Sequence, residues 1–301
     1  MGLLDGSWVT EGGLETDLIF THGVDLPEFA AFPLLDDADG SALLRRLYAD
    51  YAAIAETAGV GLLLETPTWR ASSDWGQILG YDAAALDAVN RAAVTLVRAV
   101  LDDADVRDRR VSGCVGPRGD GYVAAGADVD AAADYHLPQI RSLADAGAAL
   151  VHAMTMTEAN EAIGIVRAAR SVGVPVSVSF TVETDGRLPD GSTLGDSIHA
   201  LETEAPADYY GINCAHPTHV LTAPDIGSWA DKITFFRPNA STLSHAELDV
   251  LEELDPGDLP LLASSTAELR AELPAAAVIG GCCGTDSRHV ATLWGTRTAQ
   301  L

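Results

Sequence analysis

Lysine is almost absent from this chain: Lys232 is the only one in 301 residues, and the basic side chains number 18 against 44 acidic ones. A formal charge of −26 excludes a nucleic-acid surface, which needs clustered cations to displace counterions. Anionic membranes would be repelled for the same reason. Uninterrupted apolar runs of about 18 residues are also missing, which argues against a membrane span. The start, MGLLDGSWVT, lacks the basic region and apolar stretch of a secretory leader. Four cysteines are too few for a disulfide framework, and the adjacent Cys282 and Cys283 are poorly placed to bridge each other. These absences point to a reducing cytoplasm. The acidity itself reads as a strongly solvated surface, with steering of a cationic substrate as the alternative.

What is present is a large apolar share, 48% of residues, arranged as short apolar runs alternating with amphipathic stretches. The runs predict strands at Trp8–Glu11, Val60–Glu65, Arg110–Val115, Ala149–Met154, Val174–Val182, Asp208–Cys214, Lys232–Arg237 and Ala276–Gly281. Helices are predicted at Ser41–Ala58, Ala83–Asp103, Ala131–Ala146, Glu158–Val172, Leu194–Glu204, Ser244–Glu253, Thr266–Leu273 and Asp286–Thr296. Gly59, Gly147 and Gly173 each follow a helical run, where a C-terminal glycine belongs. Eight such alternations predict an α/β protein, a single-domain (β/α)8 TIM barrel over residues 1–301. An open doubly wound sheet is the competing architecture, but no GxGxxG follows the first strand and no P-loop occurs.

A (β/α)8 barrel carries its chemistry at the C-terminal ends of its strands. Three of the four cysteines fall there: Cys214 closes the sixth run (DYYGINC), and Cys282 and Cys283 close the eighth (AVIGGCCG). Barrel closure brings both ends to one rim. Three thiolates on one rim suit Zn²⁺, which favours soft sulfur ligands and leaves a fourth position open in catalytic sites. Packing as small buried hydrophobes is the other reading of these cysteines. Gly280, Gly281 and Gly284 favour the metal, because a strand interior has no use for so many glycines. Cys114, inside the third strand, is read as core. His216 and His219 are read as supporting or surface residues, because Pro217 and a helix starting at Thr218 aim them apart. The nucleophile-elbow pattern GxSxG of a serine hydrolase is missing.

GGLET at Gly12–Thr16, GINC at Gly211–Cys214 and GGCCGT at Gly280–Thr285 resemble the signatures of the homocysteine S-methyltransferase family. ETPTWRAS at Glu65–Ser72, VGPRGDGY at Val115–Tyr122 and RPNAS at Arg237–Ser241 extend the resemblance along the chain. It implies a barrel holding zinc on Cys214, Cys282 and Cys283, which would act in catalysis through the metal. It also implies methyl transfer from a small sulfonium or ammonium donor (S-methylmethionine, S-adenosylmethionine or betaine) to homocysteine, giving methionine. The residues implied to bind the acceptor are Glu11, Gly12, Gly13, Thr66 and Asn213, with backbone N–H groups of the glycine turn receiving a carboxylate and Glu11 an ammonium.

Two departures bear on that acceptor. Related proteins commonly have Asp where Glu11 stands. They usually have a Glu-Thr pair where this chain reads Met154-Thr155, so a negative contact to the ammonium is missing. Glu158 could replace it or serve as an N-terminal helix acid; Glu15 and Asp17 read as first-turn helix acids. Trp69 could face a methylated cation or pack under a loop, with Arg70 beside it on the same rim. The departures keep two alternatives open: the same zinc-thiolate barrel acting on another thiol or selenol, and a non-catalytic protein that binds zinc or thiols. The partners expected are thus a small thiol and a methyl donor, with neither nucleic acid nor membrane; a homo-oligomer is compatible with this composition.

Overall fold

A computed structural model of the chain describes residues 2–296. Met1 and residues 297–301, which the expected 1–301 unit included, lie outside the described residues. The strands are β1 (Trp8–Val9), β2 (Gly61–Glu65), β3 (Arg109–Val115), β4 (Leu150–Met156), β5 (Val176–Phe180), β6 (Tyr209–Asn213), β7 (Ile233–Arg237) and β8 (Val278–Ile279). They pair in sequence order, all parallel, and β1 pairs with β8, so the sheet closes. Closure removes the open-sheet alternative and establishes the (β/α)8 barrel.

The helices are α1 (Leu14–Thr16), α2 (Ala38–Ala58), α3 (Ser73–Leu79), α4 (Ala83–Asp103), α5 (Val129–Asp145) and α6 (Ala159–Val172). They continue with α7 (Leu194–Glu204), α8 (Pro217–Leu221), α9 (His245–Leu248), α10 (Leu259–Glu272) and α11 (Ser287–Leu293). No described helix is long and apolar enough to cross a membrane. Aspartates start the long helices: Asp37, Asp82, Asp128 and Asp258 each accept a backbone N–H of the first turn. Gly59 ends α2, Gly147 follows the last residues of α5 and Gly173 ends α6, each in the left-handed conformation that its position in the sequence requires.

The predicted helix Ser244–Glu253 shrinks to α9. Ser244 and Glu247 form a capping box that starts it. Asp249, Glu252 and Glu253 then crowd the negative end of the helix dipole, where acids are unfavourable. Conversely, α10 begins seven residues before the predicted Thr266: Asp258 caps it, and Pro260 lies in its first turn, where proline is tolerated.

At the closed end, Trp8, Leu63, Leu150, Phe235 and Val278 form an apolar plug inside the barrel. Further along the same strands the interior turns polar. Glu65 and Arg237 stand two residues beyond Leu63 and Phe235, hence on the same inward face. His152 joins them, its Nδ1 lying 2.7 Å from Glu65 Oε1 and its Nε2 2.6 Å from Ser179 Oγ. The plug fixes the floor; the polar layer above it supports the rim.

Asp286 closes the structure at α11, where it accepts the N–H groups of Arg288 and His289. Burial raises its carboxyl, but hydrogen bonds from His289 and Arg288 outweigh that and hold it well below the usual range. Its stabilising contribution is therefore present above its unfolded value near about pH 4 and is lost as pH falls through the lower folded value. Asp286→Ala is expected to cost about 1–2 kcal/mol at neutral pH. Urea titrations of the two proteins should converge as the pH falls from the unfolded value toward the lower folded one. A constant difference across that range would remove the charged cap as the cause.

Candidate metal centre and active site

Cys214, Cys282 and Cys283 do meet. Their sulfurs lie within 4.8 Å of one another, and the Sγ atoms of Cys214 and Cys283 are 3.5 Å apart. Sulfur ligands at about 2.3 Å around a tetrahedral ion would be separated by roughly 3.8 Å, so the spacing fits a zinc-sized ion. All three are free thiols; Cys214 and Cys282 are buried and Cys283 is half-buried. Hydrogen bonds from Cys214 and Cys283 lower the Cys282 thiol well below its ordinary value, with help from the Arg237 charge. The thiols of Cys214 and Cys283 are pushed up in turn. One thiolate supported by two thiols is a site prepared for a soft cation.

The backbone aims these side chains. Cys214 follows β6 directly and adopts a left-handed conformation, φ 59°, which few non-glycine residues do. Its carbonyl is held by Thr181 Oγ1 at 3.1 Å, Asn239 Nδ2 at 3.1 Å and His245 Nε2 at 2.7 Å. Thr155, after Met154, is also left-handed, φ 63°, and Asn213 clamps it: Oδ1 accepts the Thr155 N–H at 2.8 Å, and Nδ2 donates to Thr155 Oγ1 at 2.8 Å. Nδ2 also lies 3.6 Å from Cys282 Sγ. Such strain persists where surrounding structure over-determines it, often at functional sites.

Gly12 and Gly13 serve the junction of the first and last strands. A side chain at Gly13 would come within 2.3 Å of the Cys282 carbonyl, and one at Gly12 within 2.8 Å of that of Thr285. The Gly13 N–H already donates to the Thr285 carbonyl at 2.9 Å, which corrects the expectation that it is free to receive a carboxylate. The thiol cluster is packed against the glycine turn by that same junction.

A cavity of about 350 Å³ opens beside the thiols. Glu11, Gly12, Gly13 and Thr66 line it together with the three cysteines, whereas Asn213 stands behind Thr155 and Cys282. Thr66 is fixed by Thr68 at 2.6 Å and by the Cys114 N–H at 3.0 Å. Cys114 stays apart from the cluster, its sulfur 3.6 Å from that of Met154. Aromatic side chains form the outer wall: Phe20, Phe29, Trp69 and Tyr122. Arg70 covers a face of Trp69, 4.2 Å from the ring centre, so a cation already occupies that face. Tyr122 stacks on His245 at 4.0 Å and brings its hydroxyl to 3.4 Å from Cys214 Sγ.

Other expected acids have different places. Glu158 does not reach the cavity; its carboxylate accepts the N–H groups of Ala125, Gly126 and Ala127 at 2.9–3.0 Å, anchoring the loop that carries Tyr122. His216 and His219 are both buried: His216 caps α8, and His219, within it, donates Nε2 to the Thr242 carbonyl. Glu11 is paired: Arg237 Nη2 lies 2.7 Å from Oε1, and Oε2 accepts the Glu65 N–H at 3.1 Å. Arg237, buried at 3% exposure, also donates to the carbonyls of Gly281, Glu11 and Gly12. Sequence reasoning missed Arg237 as a site residue.

A closed (β/α)8 barrel with three convergent thiols at the C-terminal rim defines an enzyme class built around thiolate chemistry. The profile described as Homocysteine S-methyltransferase matches residues 8–295, and the chain belongs to that family of methyltransferases. Among solved structures it is similar to the homocysteine methyltransferase MmuM from Escherichia coli in its oxidized form. That pair is 24% identical with a TM-score of 0.76, covering 96% of this chain and 95% of the other. The metallated form of MmuM is 23% identical with a TM-score of 0.73, covering 97% and 96%. These likenesses support the fold.

Proposed function

We propose that this methyltransferase is zinc-dependent and transfers a methyl group from a small sulfonium or ammonium donor to the thiolate of homocysteine, giving methionine. The observation that carries the reading is the meeting of three sulfurs at the wall of a cavity large enough for two small substrates. Cys214, Cys282 and Cys283 would hold the ion. Bound there, zinc would supply Lewis acidity that lowers the pKa of an acceptor thiol.

The chain's own residues do the rest. Asn213 and the left-handed turns at Thr155 and Cys214 keep the sulfurs pointed into the cavity. Gly12, Gly13 and Thr66 line the acceptor end, and Glu11 shapes it through its pair with Arg237. Phe20 and Phe29 form the part of the outer wall suited to a methylated cation such as S-methylmethionine, S-adenosylmethionine or betaine, since Arg70 already covers a face of Trp69. The acceptor sulfur attacks the methyl carbon in line, a C–S bond forms, and the donor's onium–carbon bond breaks to release a neutral thioether or amine.

Metal analysis of the purified protein should find one zinc per chain. Mass spectrometry of homocysteine incubated with each donor in turn should show methionine with at least one of them. Full turnover with the metal stripped would remove zinc from the reading, and absence of methionine with every donor would remove the acceptor.

A further inference from the structure

Cys214, Cys282 and Cys283 all line the cavity that a methyl donor must enter, and a thiolate is a nucleophile whether it belongs to the substrate or to the protein. The structure gives each of these sulfurs a hydrogen-bond donor. Asn213 Nδ2 lies 3.6 Å from Cys282 Sγ. The Tyr122 hydroxyl lies 3.4 Å from Cys214 Sγ and 3.7 Å from Cys283 Sγ, and among the described residues it has no other hydrogen-bond partner. A deprotonated sulfur can only accept, so the phenol donates.

The segment that carries Tyr122 is fixed at several points. Arg70 Nη1 donates to the Gly119 carbonyl at 2.8 Å, Asp120 Oδ1 accepts the Tyr122 N–H at 2.6 Å, and Glu158 takes the three N–H groups of Ala125, Gly126 and Ala127. Gly121 lets the chain pass the Trp69 ring, which a side chain there would approach to 3.0 Å. The Tyr122 ring lies on His245, which is tied to Glu183 at 2.7 Å and to the Cys214 carbonyl at 2.7 Å. A phenylalanine would stack on His245 as well. The hydroxyl is the part that packing leaves unexplained.

We infer that Tyr122 is a specificity-determining residue that spares the metal-binding sulfurs from methylation: its hydroxyl donates to Cys214 and Cys283, as Asn213 does to Cys282, and leaves the acceptor's sulfur as the more reactive nucleophile. The inference rests on the reading above, of thiolates at a zinc site beside an onium donor. A hydrogen bond stabilises the charge of a thiolate and lowers its basicity, and nucleophilicity falls with basicity at about half the sensitivity. In the suppressed reaction a cysteine sulfur forms a C–S bond to the methyl carbon. The carbon–onium bond breaks, and its electron pair leaves with the donor as a neutral thioether or amine. The S-methylcysteine left behind has lost the thiolate charge that a metal ligand needs. One hydroxyl hydrogen serves two sulfurs, and Cys283 is the more distant and half-buried, so Cys283 is the less protected of the two.

Iodomethane, which supplies a methyl group whatever the natural donor is, tests this on the zinc-loaded protein without acceptor. Peptide mass spectrometry follows the addition of a methyl group at each cysteine, with Cys114, which stands outside the cluster, as the internal reference. Tyr122→Phe keeps the ring on His245 and removes only the hydroxyl. It is expected to be methylated at Cys283 and then Cys214 about 3- to 10-fold faster than the wild type, as when roughly half the value of one hydrogen bond to a charged group is expressed in the rate. Cys282, which Asn213 covers, should react at the same rate in both proteins. A merely structural role would loosen the whole centre and expose all three sulfurs together, and zinc content and urea midpoints of both proteins check for that. Methylation of Tyr122→Phe at the wild-type rate, or equal gains on all three cysteines, would overturn the inference and leave the zinc reading standing. A wild-type protein that held no zinc would remove the reading and the inference together.

Discussion

Cys282→Ala is expected to lower zinc affinity by well over 100-fold and to abolish methyl transfer, with the barrel still folded. Groups that merely orient a metal ligand already cost about 10- to 100-fold when removed, and a direct soft ligand must cost more. Cys282 is the sulfur most prepared to bind: hydrogen bonds from the other two thiols and the Arg237 charge stabilise its thiolate. Cys114→Ala provides the contrast. It removes a buried sulfur from the same cavity wall, but that sulfur faces Met154 at 3.6 Å and stands outside the cluster. Zinc content should therefore stay at one per chain in Cys114→Ala and fall toward zero in Cys282→Ala and Cys214→Ala. Asn213→Ala, which loosens Thr155 and Cys282 together, should fall between them. Full zinc retention in Cys282→Ala would show that the ion is held elsewhere.

Much of this site was legible before any coordinates, because barrel geometry converts strand ends into a shared rim. Cys214 and the Cys282–Cys283 pair could be placed together by that rule alone. The glycines around the pair were legible as a close approach, and Gly13 against the Cys282 carbonyl is that approach. What could not be read was which acid faces the cavity. An acid in the first turn of a helix has an adequate local reason to be there, so Glu15, which lines the cavity, looked ordinary, while Glu158 looked available and is spent on three backbone N–H groups.

The polar layer has a signal in the sequence. GLLLE and ITFFR each end on a charge at the parity of an apolar residue that faces the barrel interior. Two opposite charges at the inner ends of parallel strands are candidates for one another. The actual partner is shared: Arg237 lies 2.7 Å from Glu11 and 3.8 Å from Glu65. The chain-wide charge of −26 offers no guide to this, since it is carried mainly on the surface, whereas the chemistry turns on a few buried groups.

Arg237→Met is the substitution expected to damage the fold most. It leaves Glu11 and Glu65 buried without their shared cation, and breaking a buried pair in this way costs about 3–5 kcal/mol. Burial already raises Glu11, and only the Arg237 charge opposes it strongly. Glu65 is held below its ordinary value against burial by His152 and Arg237, so its contribution is present above the unfolded carboxyl value and lost as pH falls through the folded one. In the variant both carboxyls must be protonated or stay uncompensated. The destabilisation should therefore be largest near neutral pH and shrink toward about pH 4, where Glu11 is neutral in either protein and only Glu65, held low by His152 and Arg237, keeps its charge in the wild type. Adding Glu11→Gln to Arg237→Met removes one stranded charge and should recover roughly half of the loss near pH 7. Urea titrations at the two pH values read both effects. A loss that ignored pH and was not relieved by Glu11→Gln would mean that Arg237 acts by packing and by its bonds to the Glu11, Gly12 and Gly281 carbonyls, without a role for its charge on the acids.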